Sequence, residues 1–403
     1  MNQIAIHILL AALMGTAWSC LSKDPDACLM TAELIESRGF LAEVHEIVTK
    51  DGYILTCFRI VNPGVSSAKR PVILQHGLFS SSRDWLVASP DGYAEDRSDK
   101  MGNNIGFELA RAGHDVWLSN TRGNTYSTKH ISRSRWSTKF WQFSYSDMAK
   151  YDVPAVVDYI MNMTGHDSVG YVGHSQGTIM MWGTLATYEK YNKVVKPVIQ
   201  LAPSFGWKHM PLPLTALMKS PLVPILLGAI DGPMSEKNKL VSYMEAMICK
   251  DVKPACLFAM ALIVGSDADQ INMTRLDTLL YGVPAGSSIK NIRHFHQMFA
   301  SGGFFGEYDY GRKKNMKMYG QPSPPPFDMG KITNPNIALF CGANDKLASP
   351  PDVDILRSQL KVQLLKDYTI PYDKWNHFDF LVGKDANKYV IKPMLDLLAR
   401  YEP

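Results

Sequence analysis

The chain has 403 residues, of which 46% are hydrophobic and 20% are charged, and its formal net charge at pH 7 is +4. This length and apolar content are sufficient for a large globular core, either in one domain with an insertion or in two smaller domains. The small net charge argues against a nucleic-acid-binding protein. Because no repeat or long low-complexity tract is present, we expect a globular enzyme.

The N-terminus has the pattern of a secretory signal peptide. An apolar core over residues 4–15 precedes the small residues Ala17 and Ser19, which stand where cleavage before Cys20 would require them. The alternative is an uncleaved anchor, but the apolar stretch is short for crossing a bilayer. We therefore expect residues 1–19 to be a signal peptide and the remaining chain to be exported.

Strand-like and helical patterns alternate along the N-terminal half. Such alternation predicts an α/β fold with a largely parallel sheet that is covered on both faces. Helical patterns occur in GNNIGFELARAG and DMAKYDVPAVVDYIMNMTG. The predicted strands are GYILTCFRIV, RPVILQHG, HDVWLSNTRG, SVGYVGHS and KPVIQLAPSF, and two further strands are predicted later in the chain at NPNIALFCGAND and VQLLKDYTIP.

Ser175 lies between a predicted strand and a predicted helix, in the sequence GHSQG. Glycines on both sides let the strand and the helix approach closely, and the sharp turn lifts the hydroxyl out of the sheet. The helix N-terminus behind the turn favours a developing negative charge. Ser175 is therefore a candidate nucleophile, and the alternative is an ordinary helix N-cap serine.

Residues 206–330 have a different pattern from the segments around them. They are rich in methionine and leucine, contain several prolines and end near a proline cluster, QPSPPP, that is typical of a linker. We predict a mainly helical cap or lid, inserted between two core segments that comprise residues 20–205 and 331–403. The alternative is an independent folded domain that does not cover the serine.

Two residues that follow the last predicted strands provide partners for Ser175. A serine hydroxyl needs a histidine to accept its proton and a carboxylate to orient that histidine. Active sites of parallel sheets gather at the carboxyl ends of the strands. Asp345 follows one such strand and His377 lies in the loop after the next, so the chain order is the serine–acid–histidine order of hydrolases built on this type of sheet.

Other residues compete for these roles. Asp345 and Asn344 could each serve as an Asx-turn or helix cap. His174 adjoins the serine, but neighbouring side chains on a tight turn diverge. Asp379 could instead orient the histidine loop. Further candidate acids are Asp352 and Asp373, which do not directly follow a strand, and His294 and His296 are candidate metal ligands that lack matching cysteine or carboxylate spacing.

The oxyanion of a tetrahedral intermediate requires backbone N–H donors. One should be the amide of Gln176, directly after the nucleophile. The other should be the amide of Leu78, in the loop that follows the strand ending at His76 and Gly77. His76 could be mistaken for a base, but we expect it to shape this loop.

Export is consistent with the sequons and cysteines of the chain. Asn162 and Asn272 each begin an Asn-Met-Thr glycosylation sequon. Cys249 and Cys256 lie close together in CKDVKPAC, a segment that a disulfide could close. The remaining cysteines, which the sequence does not pair, are Cys20, Cys28, Cys57 and Cys341, and the last is expected to be a buried free thiol.

Several motifs in fixed order resemble the acid lipase family, which includes gastric, lingual and lysosomal acid lipases. They are HGLFSSSRDWL, DVWLSNTRGNTYS, FWQFSYSDMAKYDVPAVVDYI, YVGHSQGT, LAP, CGANDKLASPPDV and WNHFDF. The resemblance runs from about Leu41 to the C-terminus and is weaker in the cap. It implies an α/β-hydrolase fold with a cap and lid, which cleaves triacylglycerols or cholesteryl esters without a cofactor.

Carried over by position, the family's nucleophile, acid and base fall on Ser175, Asp345 and His377. Its oxyanion amides fall on Leu78 and Gln176, and its cap disulfide matches Cys249 with Cys256. The leading hypothesis is thus a secreted or lysosomal lipase that acts at an oil–water or membrane interface, with no nucleic acid, metal or obligate protein partner. The alternatives are a carboxylesterase for small soluble esters and a catalytically silent lipid carrier.

Overall fold

The computed structural model describes residues 22–66, 68–95, 100–212, 214–234, 261 and 263–401. The predicted signal peptide, residues 1–19, lies outside the described residues. Cys249 and Cys256 lie outside them as well, so their predicted disulfide stays a prediction.

A mixed sheet of nine strands forms the centre of the described chain, in the order β1-β2-β4-β3-β6-β7-β10-β11 with β5 paired to β2. Its strands are β1 (Leu41–Val48), β2 (Tyr53–Val61), β3 (Lys69–Gln75), β4 (His114–Ser119), β5 (Lys129–His130), β6 (Val169–His174), β7 (Val195–Leu201), β10 (Ile337–Cys341) and β11 (Lys366–Thr369). From β4 to β11 all pairings are parallel, whereas β1, β2 and β5 pair antiparallel. This confirms the expected, largely parallel α/β sheet.

The helices begin and end as follows. They are α1 (Thr31–Ser37), α2 (Ile105–Arg111), α3 (Tyr145–Asp147), α4 (Val153–Thr164), α5 (Gln176–Thr187), α6 (Glu189–Val194), α7 (Leu214–Met218), α8 (Leu222–Ala229), α9 (Leu276–Tyr281), α10 (Ile289–Ala300), α11 (Arg312–Tyr319), α12 (Pro350–Gln359), α13 (Asp379–Val382) and α14 (Lys392–Leu398). A separate strand pair comprises β8 (Pro233–Met234) and β9 (Ser287–Ser288).

Helices cover the sheet because its central strands have no polar face. Every residue of β4 and of β6 is buried, as expected for parallel strands between two helical layers. Helix α4 buries Val153, Val156, Val157 and Ile160, whose spacing places them on one face. That helix packs against β1, β3 and β6, while α2 packs against β2 and β4, and α14 packs against β7.

The regular structure in the described part of residues 206–330 is mainly helical, since it comprises α7 to α11 and only the short strands β8 and β9. Helix α10 packs against α7 and α8. The same segment reaches the core, because the Asn291 side chain on α10 donates a hydrogen bond to Gln176 at 2.7 Å. The exact limits of a cap, and its separation from the core at residues 206 and 330, stay a prediction.

Candidate active site

Ser175 occupies the sharp turn between β6 and α5. Its backbone has φ 54° and ψ −117°, a conformation that residues with a Cβ rarely adopt and that is associated with functional strain. The turn is tight enough that a Cβ on Gly177 would lie 2.5 Å from the Gln75 carbonyl oxygen. A Cβ on Gly77 would lie 2.9 Å from the Ser175 Cβ. Glycine at both positions therefore allows β3, β6 and α5 to converge at the serine.

Asp345 and His377 are in direct contact although 32 positions separate them in the chain. The His377 Nδ1 atom lies 2.9 Å from each carboxylate oxygen of Asp345. Both residues are buried. A carboxylate only accepts hydrogen bonds, so Nδ1 carries a proton, and in the neutral form of the imidazole Nε2 is the acceptor. This is the tautomer that a general base requires.

Local backbone geometry fixes the orientation of the Asp345 carboxylate. Asp345 lies in the turn after β10, and its Oδ1 atom accepts hydrogen bonds from the amides of Leu347 and Ala348 at 2.9 and 2.7 Å. The Asx-turn that the sequence offers as an alternative is thus present, and it coexists with the histidine contact. The same residue can both shape the turn and orient the imidazole.

Ser175 and His377 line one cavity of about 630 Å³. Among the described residues, the His377 imidazole hydrogen bonds only to Asp345, so its Nε2 atom is available. The Ser175 residue is half-buried and faces the same space. Catalytic hydrogen bonds are often long before substrate binds. The structure therefore places the predicted acid and base in contact, and the predicted nucleophile in the cavity that the base lines.

The residues that compete for the roles of catalytic acid and base make other contacts or are exposed. Asp352 is bound to His209, with 2.8 Å between its Oδ1 atom and Nδ1, and Asp373 is exposed. The Nε2 atom of His174 lies 2.9 Å from the His377 carbonyl oxygen. Burial, followed by the charge of His377, lowers the pKa of His174 to about 3. His174 is therefore a neutral donor that supports the His377 loop.

The two histidines that are candidate metal ligands also interact with other protein groups. His294 stacks on Tyr145 with 3.9 Å between ring centroids, and its Nδ1 atom lies 3.0 Å from the Ser144 Oγ. His296 donates from Nε2 to the Met218 carbonyl at 3.2 Å. In the described part of the chain, no group of three or more His, Cys, Asp or Glu side chains is arranged to hold a metal ion.

The loop after β3 carries the predicted oxyanion donor Leu78. It is shaped by His76, whose Nδ1 atom donates to the Gly77 carbonyl at 2.8 Å. The opposite nitrogen accepts from the Thr121 amide at 3.1 Å and from the Asn124 side chain at 3.2 Å. Burial lowers the pKa of His76 to about 4. A neutral imidazole thus holds this loop in place.

The second predicted donor, the Gln176 amide, is at the first position of α5. Its side chain is held by Asn291, which also accepts a hydrogen bond from the Tyr145 amide at 2.8 Å. No sequence pattern predicts this link between α10 and the serine turn, because its two members are 115 positions apart. Among the described residues, the backbone N–H groups of Leu78 and Gln176 donate to no other protein group.

The cavity beside Ser175 is mostly apolar. Its wall includes Val87, Met210, Met218, Leu276, Leu279 and Val283. Cavities of this size, lined by apolar side chains with a few polar groups, are typical of small-molecule sites. The wall is therefore suited to a hydrocarbon chain.

The asparagines of the two glycosylation sequons differ in their exposure. Asn162 is exposed on α4. Asn272 is half-buried, and its Oδ1 atom accepts from the Thr274 amide at 3.2 Å.

Cys57 and Cys341 are buried free thiols, as expected for Cys341. Within the described ranges, no helix combines the length and the apolar character needed to cross a membrane.

Two protein families match the chain in sequence. Residues 31–89 match a family model described as a partial α/β-hydrolase lipase region, and residues 70–241 match one described as the α/β-hydrolase fold. A gastric triacylglycerol lipase of Bos taurus is 35% identical over 390 residues, which cover 94% of this chain and 93% of the bovine protein. The chain belongs to the acid lipase family. It is a serine ester hydrolase of the α/β-hydrolase fold.

A second relative and a solved structure agree with this membership. A Crotalus adamanteus protein, provisionally named a lysosomal acid lipase/cholesteryl ester hydrolase, is 34% identical over 411 residues, which cover 99% of this chain and 98% of that protein. A crystal structure from Sulfolobus solfataricus superimposes with a TM-score of 0.55 at 14% identity, covering 86% of this chain and 90% of the other. At that identity the likeness supports the fold alone.

Proposed function

We propose that this acid lipase family member hydrolyses fatty acyl esters through Ser175, His377 and Asp345. The contact of His377 Nδ1 with both oxygens of Asp345, beside the cavity that holds Ser175, is the observation that carries the proposal. It supports a base whose Nε2 atom is free to accept the serine proton. No metal or redox group is needed for this chemistry.

In the acylation step, the Ser175 Oγ attacks the ester carbonyl while its proton moves to His377 Nε2. The Asp345 carboxylate stabilises the resulting imidazolium without taking a proton itself. When the tetrahedral intermediate collapses, the carbon–oxygen bond to the alcohol breaks and His377 returns the proton to that alcohol. Water then attacks the acyl-enzyme, again with His377 as base, and releases the fatty acid.

The negative charge of each tetrahedral intermediate falls on the former carbonyl oxygen. We assign the backbone N–H groups of Leu78 and Gln176 to this oxygen. Gln176 directly follows Ser175, and Leu78 directly follows Gly77, where a Cβ would lie 2.9 Å from the Ser175 Cβ. This proximity supports the assignment, as do the contacts of His76 and Asn291 that hold the two segments. Loss of one such donor typically costs about 3 kcal/mol of transition-state stabilisation.

Triacylglycerols are the proposed substrate class, with cholesteryl esters as a second one. The apolar cavity wall supports a long hydrocarbon chain, and the names of the bovine and Crotalus relatives point to these esters. A carboxylesterase for small soluble esters remains the alternative. A lipid carrier without catalysis is disfavoured, because the residues expected to form the triad are all present.

The protein is proposed to work at a lipid–water interface. Large apolar side chains on and beside α7 and α8 are exposed, namely Leu212, Leu217, Leu222, Ile225, Leu226 and Ile230. Helix α7 also contributes Leu214 and Met218 to the cavity wall, so this apolar surface adjoins the site. An exposed apolar patch beside a cavity is typical of a surface that contacts lipid.

We propose that the protein is secreted, with the lysosome as the alternative destination. The predicted signal peptide, the two sequons and the bovine and Crotalus relatives support export. Mass spectrometry of protein made in a secreting eukaryotic cell tests this directly. The expected mature protein begins near Cys20 and carries glycans on Asn162 and Asn272.

Hydrolysis of emulsified triolein by wild-type protein and by Ser175→Ala tests the proposed chemistry. We expect the variant to lose activity by at least about 10³-fold while its circular dichroism is unchanged. Rates on short and long p-nitrophenyl esters separate the lipase from the esterase. A strong preference for short, dissolved esters, with no gain at the oil–water interface, would favour the esterase.

A further inference from the structure

Two carboxyl groups meet in the cavity wall beside the loop that carries His377. Asp379 begins α13, two residues after His377, and Asp267 belongs to the cap segment of residues 263–271. Their exposed fractions are 0% and 4%. Both line the cavity, and the Asp379 carboxyl faces that of Asp267.

A hydrogen bond between the two carboxyl groups requires a proton on one of them. Asp379 Oδ2 accepts from the Asn376 amide at 2.7 Å, and Asp267 Oδ1 accepts from the Tyr372 hydroxyl at 3.4 Å. The other two oxygens, Asp379 Oδ1 and Asp267 Oδ2, are buried and have no N–H or O–H partner in the described chain. Ionised carboxylates only accept hydrogen bonds, so the two groups can bond only if one of them is protonated.

The surrounding charges favour that proton. Burial, followed by the charges of Asp267 and Asp345, raises the pKa of Asp379 to about 8 against the opposing hydrogen bond from the Asn376 amide. Burial also raises the pKa of Asp267. The other charged or titratable groups around the pair are His377, Asp269, Lys374, and Arg83 and Asp84 on the turn that packs against α13.

The pair joins the cap segment to the loop of the base. The Asn376 side chain donates to the Gly265 carbonyl at 3.3 Å, and the His377 amide donates to the Val264 carbonyl at 3.3 Å. The carboxyl pair is thus one of several links between the two segments, and Asp379 is two residues from His377 in the chain.

We propose that Asp379 is a positioning residue for His377, and that one proton shared between Asp379 and Asp267 fastens the 263–271 segment to the base loop. This inference rests on the proposed role of His377. With the proton present, the two groups attract each other. Without it, two negative charges face each other away from water and push the segments apart.

The direction of the pH effect follows from the raised pKa of Asp379. The folded protein holds this proton at pH values where an unfolded chain, with an ordinary pKa near 3.8, has lost it. The stabilisation is therefore complete below about pH 4 and is lost progressively as the pH rises through about 8. We therefore expect activity to decrease at alkaline pH as the shared proton, and with it this link, is lost.

The test compares Asp379→Asn, Asp267→Asn and Asp379→Ala with wild type from pH 4 to 9. An amide supplies a permanent N–H donor and keeps an oxygen acceptor, so each asparagine variant should fold and be active at pH 5, and its own kcat at pH 5 is the reference for its pH profile. The decline of kcat at alkaline pH should shift to a pH at least about one unit higher than in wild type, with KM unchanged. Asp379→Ala, which cannot accept from the Asn376 amide, should lose at least about tenfold in kcat at pH 5.

Thermal unfolding gives an independent readout of the same link. The Tm of wild type should fall between pH 5 and 8, and the Asp379→Asn variant should show a smaller fall. Asp373→Asn is the matched control, because it removes a carboxylate from an exposed position of the same loop. Its activity profile and its Tm should follow those of wild type.

Wild-type pH profiles in both asparagine variants would overturn the proposal, and so would failure of both to fold at pH 5, since an amide preserves the hydrogen bonds. A soluble ester, 4-methylumbelliferyl butyrate, serves as substrate, with Ser175→Ala measured in parallel. Full activity of Ser175→Ala would refute the proposed function itself. An inactive Ser175→Ala beside unchanged asparagine variants would refute the shared proton alone.

Discussion

The Asp345→Asn variant tests the orientation of the base most sharply. Oδ1 of Asp345 is fixed as an acceptor by the amides of Leu347 and Ala348 at 2.9 and 2.7 Å. An asparagine would keep its oxygen there and turn its NH₂ group toward His377 Nδ1. That nitrogen would then have to accept, which moves the imidazole proton to Nε2, where it faces Ser175. The base would be held in the wrong tautomer.

The expected loss in kcat is about 10⁴-fold, the size seen when the same substitution is made in the serine protease triad. This corresponds to about 5 kcal/mol of transition-state stabilisation. The assay is kcat on 4-methylumbelliferyl butyrate and on emulsified triolein, with circular dichroism to establish folding. KM should change little, because Asp345 does not line the cavity.

Asp352→Asn is the matched control, since Asp352 is also buried and bound to a histidine, with 2.8 Å between its Oδ1 atom and His209 Nδ1. It should keep kcat within about threefold of wild type. A folded Asp345→Asn protein with kcat within tenfold of wild type would refute the tautomer reasoning. Equal losses in the two variants would show that the effect is not specific to the base.

Other perturbations test separate parts of the account. Gly177→Ala places a Cβ 2.5 Å from the Gln75 carbonyl oxygen and should destabilise the fold by about 1–3 kcal/mol, measured by urea unfolding; an unchanged midpoint would contradict the close approach. Asn291→Leu removes the hydrogen bond to Gln176 and should lower kcat about tenfold without raising KM, whereas a rise in KM alone would argue against an oxyanion role. Leu222→Ser with Leu226→Ser, both more than 60% exposed, should reduce hydrolysis of emulsified triolein severalfold and spare the soluble ester; equal losses on both substrates would refute the interface role.

The central sheet could be predicted from sequence because several of its strands contain short runs of β-branched and aromatic residues between turn residues. Strands such as β4 and β6 are buried along their whole length, as expected for the middle of a parallel sheet. The sequence pattern does not predict β1, although it pairs with β2 along eight residues. It is an edge strand with Val44 and Val48 exposed, and its charged residues obscure the alternation expected of a strand.

The positions of Ser175, Asp345 and His377 follow from local signals, since Ser175 and Asp345 lie at the ends of predicted strands and His377 lies in the loop after another. A parallel sheet brings such loops to one edge whatever the separation along the chain. The partners that hold these residues give no such signal. Asn291 and Asp267 lie in the region with the least regular pattern, and their contacts with Gln176 and Asp379 depend on how that region packs on the core.

Covalent labelling of the nucleophile tests the central claim most directly. The purified protein is treated with a fluorophosphonate, which forms a stable adduct with an activated serine, and the modified peptide is identified by mass spectrometry. The account predicts one adduct on Ser175, lost in Ser175→Ala and slowed strongly in Asp345→Asn. An adduct on a different residue, or none in protein that hydrolyses triolein, would contradict it.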